Sequence, residues 1–358
     1  MTVIISEWVN LAKRGPNTWN GFVRRHMGEA WWQSLQHKIP ASHQHLYGSI
    51  SATTAMSESD YQQMCEDLQV NEKPNIIQLS GLGEREYDDL SGLVFPHNCE
   101  IKDQVATKQR LVLANFSNCI VCEELSCDEK ATLINVFFDG SAVLGRAEFN
   151  NIQSQILSFT DCVFKKGFEF KNSNNSSSIH FDNAAFLSWT VFENSTFRDV
   201  ATFRSTKFHG DALFERTEFK KANFIGAVFK SILSLQGAKF EFAPKFEGVE
   251  CDAILFDDNT EFKSNSSSLQ EDASAWAALI RLMERVHNLP QRQKFHEKLL
   301  EVEKEFETEK TAKLLYGIYK LLGCGRMVSV PLFWLFYIWF LMSMFYLVFS
   351  KCNEGLEA

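Results

Sequence analysis

From Phe181 to Phe262 a Phe returns every five or six residues: Phe181, Phe186, Phe192, Phe197, Phe203, Phe208, Phe214, Phe219, Phe224, Phe229, Phe240, Phe246, Phe256 and Phe262. Where Phe drops out, Leu235 and Cys251 keep the beat, so the unit is eleven residues with two apolar positions. A helix advances about 100° per residue and would turn successive Phe by roughly 140° or 240°, giving two separate aromatic stripes. An ordinary strand alternates faces every second residue, so odd and even steps would send the Phe to opposite sides. What remains is a chain that turns a corner after each Phe and aims every Phe at one axis. That is a solenoid.

A second periodicity agrees. Two residues before each Phe sits a short side chain: Ala184, Ser195, Ala201, Thr206, Ala212, Thr217, Ala222, Ala227 and Ala238. Alternation along an extended segment points both members of each pair inward, and a narrow interior holds one large ring only beside a small neighbour. The residues between pairs are mostly polar or Gly, as in Phe192-Glu-Asn-Ser-Thr-Phe197, and read as solvent-facing corners.

Units such as Ala222-Asn-Phe224-Ile-Gly-Ala227-Val-Phe229 resemble pentapeptide-repeat proteins. The resemblance implies a mainly β fold, a right-handed quadrilateral β-helix whose stacked coils pair as parallel strands. The chain departs from a strict five-residue rule by one extra residue at alternate corners. Reading backwards recovers Phe170, Phe164, Phe159, Phe149, Leu144, Phe138, Leu133, Cys127, Cys122 and Phe116, so the repeat is expected over 111–263. Asn172 to Ser178 reads as an inserted corner loop. At about 22 residues per coil, roughly seven coils would stack to on the order of 30–35 Å.

The chain has 358 residues, 32 of them Phe, nine Cys and a formal net charge of −9. Met1-Thr-Val-Ile-Ile-Ser-Glu-Trp8 carries no basic region before an apolar run, so no secretory leader is expected and the bulk is assigned to the cytoplasm. Cys122, Cys127, Cys162 and Cys251 fall on or beside inward positions, where reduced thiols pack as small hydrophobes. Cys119-Ile-Val-Cys122 has metal-like spacing without a second pair to complete four ligands, and His37, His43 and His45 cluster without a carboxylate or Cys at ligand spacing. Neither metal nor cofactor is expected.

From Met327 to Ser350 no residue is charged, and the span of 24 residues would reach about 36 Å as a helix. A hydrocarbon core is about 30 Å thick. The segment therefore reads as one transmembrane helix, with Pro331, Trp334, Trp339 and Tyr346 as membrane anchors. Lys313, Lys320 and Arg326 precede it as membrane-proximal basic residues, predicting a single-pass protein with its N-terminal domain cytoplasmic and a short tail at 351–358 outside. Residues 272–326 carry helical periodicity broken at Pro290 and read either as an amphipathic neck drawn to the lipid bilayer or as a helical hairpin with a solvated face capping the solenoid. Trp276-Ala-Ala-Leu-Ile-Arg-Leu-Met-Glu284, together with Leu315-Tyr-Gly-Ile-Tyr-Lys-Leu-Leu-Gly-Cys-Gly-Arg326, resembles the C-terminal part of membrane-anchored bacterial pentapeptide-repeat proteins, and the resemblance implies a location in the bacterial inner (cytoplasmic) membrane.

The first 75 residues read as a helical cap, with Trp8, Trp19, Phe22, Trp31 and Trp32 forming a hydrophobic plug, and 76–110 as irregular lead-in coils. No nucleophile elbow, phosphate loop or dinucleotide fingerprint appears, so an enzyme is not expected. The expected function is a non-catalytic, membrane-anchored scaffold or sensor that presents a cytoplasmic β-helix to a protein partner of unknown identity, in stress or defence. Two alternatives remain: a DNA-mimicking topoisomerase binder, as gyrase-protecting pentapeptide proteins are, and a subunit of an oligomeric membrane pore. Residues 111–263 hold 21 Asp/Glu against 15 Lys/Arg, net −6, too mixed for a continuous phosphate-like ridge. That mixture argues against nucleic acid as a partner, while homo-oligomerisation is left open.

Overall fold

The computed structural model describes residues 7–68, 76–80, 82, 87–102, 111–127, 131–263, 268–306 and 337–343. It divides into two compact units, Met1–Ser266 and Ser267–Ala358.

In the first unit the aromatic beat becomes a four-faced solenoid of parallel strands. One coil shows the grammar. Phe168–Glu169 lies on the first face, Asn174–Asn175 on the second, Ile179–His180 on the third and Ala185–Phe186 on the fourth. Thr190–Val191 then returns to the first face and pairs in parallel with Phe168–Glu169. Each face is one residue inward, one outward and one inward again, most often small then large as in Ala184, Ala185 and Phe186. Nine strands succeed one another on the first face from Ile76–Ser80 to the end of Glu250–Leu255, which makes about eight turns.

Two kinds of corner close the coil. The corners into the second and fourth faces are tight: after Phe181, Asn183 adopts φ 58° and the Ala184 N–H donates back to the Phe181 carbonyl at 3.0 Å. Asn194, Ser205, Arg216, Gly226, Gly237 and Gly248 repeat that left-handed position. Asn and Gly tolerate it best, because a short polar or absent side chain avoids the clash of Cβ with the backbone. The other two corners carry the extra residue. There Gly145 is required, since a Cβ would fall 1.9 Å from the Glu123 carbonyl oxygen of the preceding coil.

Stacking of rungs turns the Phe into ladders. On the third face Phe116, Phe138, Phe159, Phe181, Phe203, Phe224 and Phe246 stack with centroids 4.9 to 5.2 Å apart. On the fourth, Phe164, Phe186, Phe208 and Phe229 do the same at 4.7 to 5.0 Å. The small inward residues have a second task. Thr206 Oγ1 donates to the Phe181 carbonyl at 2.7 Å, Ser141 Oγ to Phe116 at 2.7 Å and Cys162 Sγ to Phe138 at 2.9 Å, each reaching one coil back. Cys162 therefore sits where Ser141, one coil before, and Thr206, two coils after, use a hydroxyl. Burial pushes the Cys119 and Cys122 thiols up to about 12 and Cys251 to about 11, so they are thiols rather than thiolates at neutral pH.

Two expectations change here. Ile76–Ser80 and Asn98–Lys102, expected as irregular, pair in continuous parallel register with each other and onward to Leu125–Cys127. These coils escape an aromatic count because Leu79, Leu90, Cys99 and Ile101 hold the buried positions. Asn172 to Ser178 is no insertion: Asn174–Asn175 pairs with Gln153–Ser154 on one side and Thr196–Phe197 on the other. Asn175 occupies the position that Phe197 takes one coil later, fully buried, with its Nδ2 donating to Ser154 Oγ at 2.9 Å and to the Gln155 carbonyl at 2.5 Å.

The N-terminal residues form helices α1 (Glu7–Ala12), α2 (Pro16–Met27), α3 (Glu29–Lys38), a 3-10 turn (Ala41–His43), α4 (Gln44–Ser51) and α5 (Glu58–Asp67). On the fourth face the outward residues Val94, Ile120, Ala142 and Val163 are all 0–1% exposed, although they point away from the axis. The helices cover them. Trp19 Nε1 donates to the Val94 carbonyl at 2.7 Å, Lys165 Nζ donates to the Lys38 carbonyl at 2.8 Å, and His43 Nε2 donates to the Asp161 carbonyl at 2.6 Å. Trp8 stands edge-on to Trp19, centroids 6.0 Å apart, whereas Trp31 is half-buried under the Lys38 ammonium.

His43 makes this contact sensitive to acid. Its Nδ1 lies 3.0 Å from Ser42 Oγ, and burial, then the nearby His45, hold its pKa below the ordinary value against the opposing pull of Asp161. The stability it contributes is complete above about pH 6.5 and is lost as pH falls through the lowered folded value. Hydrogen exchange should show protection of residues 41–51 falling between pH 7.5 and 5.5 after correction for intrinsic rates. His43→Gln should remove that dependence; an unchanged pH profile in the variant would sink the assignment.

In the second unit Ser268 caps α6 (Leu269–Arg285) by accepting from the Glu271 N–H at 3.4 Å, and α7 (Leu289–Phe306) begins with Pro290 in its first turn. Trp276 of α6 stacks on Phe295 of α7 with centroids 5.9 Å apart.

The transmembrane helix and the single-pass inner-membrane localisation that rested on it are corrected. Among the described residues no helix is long and apolar enough to cross a membrane. Of 327–350 the structure describes 337–343 as helical, seven residues spanning about 10 Å. Trp339 is exposed there. Pro331, Trp334, Tyr346, Lys313, Lys320 and Arg326 lie outside the described residues.

Candidate functional site

The Phe that set the coil are placed inside it. Phe181, Phe186, Phe192, Phe197, Phe203, Phe208, Phe214, Phe219, Phe224, Phe229, Phe240 and Phe246 are at most 2% exposed, and Phe256 and Phe262 are half-buried at the last rung. They build the ladder and offer nothing to a partner. Function must lie on outward and corner positions.

Most of those positions are polar and compensated. The second face carries a groove of about 600 Å³ lined by Arg198, Glu218, Lys220, Lys239 and Glu241, among others. Its charges alternate, with Lys239 3.1 Å from Glu218 and Lys263 3.7 Å from Glu261. On the first face Glu169 is almost buried; burial pushes its carboxyl up, but Lys171 at 2.9 Å, Asn150 at 3.0 Å and Arg146 together bring it below the ordinary range. Among the described residues no group of three or more His, Cys, Asp or Glu is placed to hold a metal.

The corner between the fourth and first faces differs. Leu187 (37% exposed), Trp189 (38%), Ile232 (37%) and Leu255 (42%) are exposed large apolar side chains, and all lie at this corner or on the first face beside it. Val191 and Leu213 occupy successive outward positions next to them. Trp189 is held firmly. Its indole lies over Gly167, where a Cβ would come within 2.2 Å of the ring, and the Arg146 guanidinium stacks 5.2 Å from its centroid. Arg146 is itself fixed by Glu148 at 2.8 Å and by Glu169. A rigid, half-exposed Trp between Leu187 and Val191 along the chain, with Leu213, Ile232 and Leu255 on the following rungs, is the composition of a docking hot spot rather than of a solvated corner.

Basic residues border the apolar strip. Lys207 and Lys230 are exposed, and neither has a carboxylate within ion-pair distance among the described residues. Their field is felt by His209 between them, whose pKa is lowered by partial burial, then by Lys230 and Lys207. Asp211, the nearest corner carboxylate in sequence, already accepts from Ser231 Oγ at 2.5 Å and from the Ile232 N–H at 3.3 Å.

Sequence reading missed this surface. Its residues share no period, because corner and outward positions are free of the packing that repeats the Phe. The available signal was subtractive: once the inward positions are assigned, Leu187, Trp189 and Ile232 are large apolar residues left with no place in the core.

Residues 192–239 match the family model described as pentapeptide repeats (9 copies). No curated protein and no solved structure matches the chain. The matched stretch lies within the most regular Phe ladder and includes Leu213 and Ile232 of the apolar corner.

Proposed function

We propose that this chain is a non-catalytic repeat scaffold that binds a partner protein on the corner between its fourth and first faces. The clustering of Leu187, Trp189, Ile232 and Leu255 there carries the reading. A monomeric surface scatters such side chains, whereas a cluster of them on neighbouring rungs beside a fixed Trp loses free energy to water unless something covers it. Pentapeptide repeats support the structural or protein-binding class. The ion-pairing of Glu169, Glu193 and Glu218 weighs against a DNA-like acidic ridge, because paired carboxylates present little net field.

The test is site-specific photo-crosslinking in native cells, with benzoylphenylalanine placed in turn at 187, at 204 on the corner after the third face, and at 220 on the second face. A protein captured from 187 and identified by mass spectrometry, and not from 204 or 220, is the expected result. Capture from 204 or 220 in its place would move the binding face elsewhere. Capture from none of the three would remove the scaffold reading.

A further inference from the structure

We infer that the partner segment received by this corner is an amphipathic α-helix with an apolar stripe and acidic margins, lying along the solenoid axis. The inference rests on the corner being the binding face and adds the chemistry of what it binds.

Three observations carry it. The first is continuity with an interface already built. On the fourth face the outward row Val94, Ile120, Ala142 and Val163 is sealed by the protein's own helical layer, and the row then runs on to Ala185, Lys207 and Val228, half-buried or exposed and without such a cover. A helix is what this wall accommodates on its covered rungs. The second is spacing. Rungs repeat at about 4.8 Å, and a helix rises about 5.4 Å per turn. Side chains at i, i+3 or i+4, and i+7 therefore meet successive rungs, as Leu187 and Ile232 require two rungs apart.

The third is charge. Lys207 on the wall and Lys166 and Lys230 at the corner itself are exposed. The carboxylates nearby are Asp211, which is engaged by Ser231 and Ile232, and Glu250 and Asp252, which sit at the final rung. Hydrogen bonds from Ser231 and Ile232 leave the charge of Asp211 in place, but on the rungs either side of Leu187 and Trp189 it stands against Lys165, Lys166 and Lys207, so the balance there is positive. A basic helix would be repelled there, and an acidic one would pair its margins with lysines that have no carboxylate of their own.

Two synthetic helical peptides of roughly 15 residues test this directly. They share one Leu stripe and differ only in carrying Glu or Lys along its margins. With the full-length chain, fluorescence anisotropy at low salt should show the Glu peptide binding about tenfold or more tightly than the Lys peptide. In the Lys207→Glu/Lys230→Glu variant the preference should reverse. Both lysines are exposed, and an unchanged circular dichroism melt verifies that the solenoid is intact. Leu187→Asp should weaken both peptides. Equal binding of the two peptides, or a preference that survives the charge reversal, overturns the inference. A crosslink from 187 to a basic segment leaves the binding face standing but overturns the acidic helix, and a crosslink to a second copy of this chain replaces the partner with a self-contact.

Discussion

Replacing Phe208 by Ala should cost roughly 3–5 kcal/mol of stability, while the same change at its neighbour Lys207 should stay within about ±0.5 kcal/mol. The two residues are consecutive on one strand, and alternation sends them to opposite sides of the coil wall. Phe208 is 0% exposed, sandwiched between Phe186 at 5.0 Å and Phe229 at 4.7 Å, with Phe203 and Phe214 at its edges. Ala leaves a ring-sized void that the strands cannot collapse to fill, because their spacing is fixed by the parallel ladders above and below. Lys207 is exposed and forms no ion pair among the described residues. Thermal and urea unfolding of the two single variants against the parent would measure the difference. Similar shifts for both would mean that inward and outward positions had been exchanged along this strand, and with it throughout the repeat.

That contrast also marks how far the sequence could be read. A narrow interior imposes one size rule on every rung, so large and small inward residues repeat and the coil is legible from Phe181 to Phe262. The rule is about volume rather than aromaticity. Leu79, Leu90 and Ile101 satisfy it in the early coils without sounding the Phe beat, so an aromatic count passes over those coils. Asn175 breaks the rule of polarity yet keeps the register, because Ser154 one coil below supplies a hydrogen-bond partner that a single-sequence count cannot see. The apolar span at 327–350 was read from composition alone, and no described helix has the length that composition suggested. The binding corner was the least legible part. Outward residues answer to a partner and not to the repeat, so Trp189 acquires meaning only once Gly167 and Arg146 are seen to hold it in place.

The second large effect is expected at the opposite end of the problem, where the solenoid must stop. A parallel stack leaves its first rung with unpaired N–H and C=O groups on one edge, which cost free energy if buried and recruit other chains if exposed. The strand Val94–Phe95 gives its Leu93 and Phe95 carbonyls to Ile120 and Cys122 of the next coil. Its other edge faces α2. There Asn20 takes the place of a strand: its Oδ1 accepts from the Val94 N–H at 2.9 Å and its Nδ2 donates to the Gly92 carbonyl at 3.0 Å, while Trp19 Nε1 serves the Val94 carbonyl at 2.7 Å. Asn20 is 2% exposed, so water cannot substitute for it. Asn20→Leu preserves the side chain's shape, removes both bonds and orphans two backbone groups, for an expected loss of about 2–4 kcal/mol. Asn20→Asp keeps the acceptor for Val94 but loses the donor to Gly92. Chemical denaturation should resolve the loss, and light scattering should show Asn20→Leu associating at concentrations where the parent does not, because loosening α2 bares the edge. A stable, monodisperse Asn20→Leu protein would mean that the first rung is closed by packing of the helical layer alone, and that the amide pairing contributes little to ending the stack.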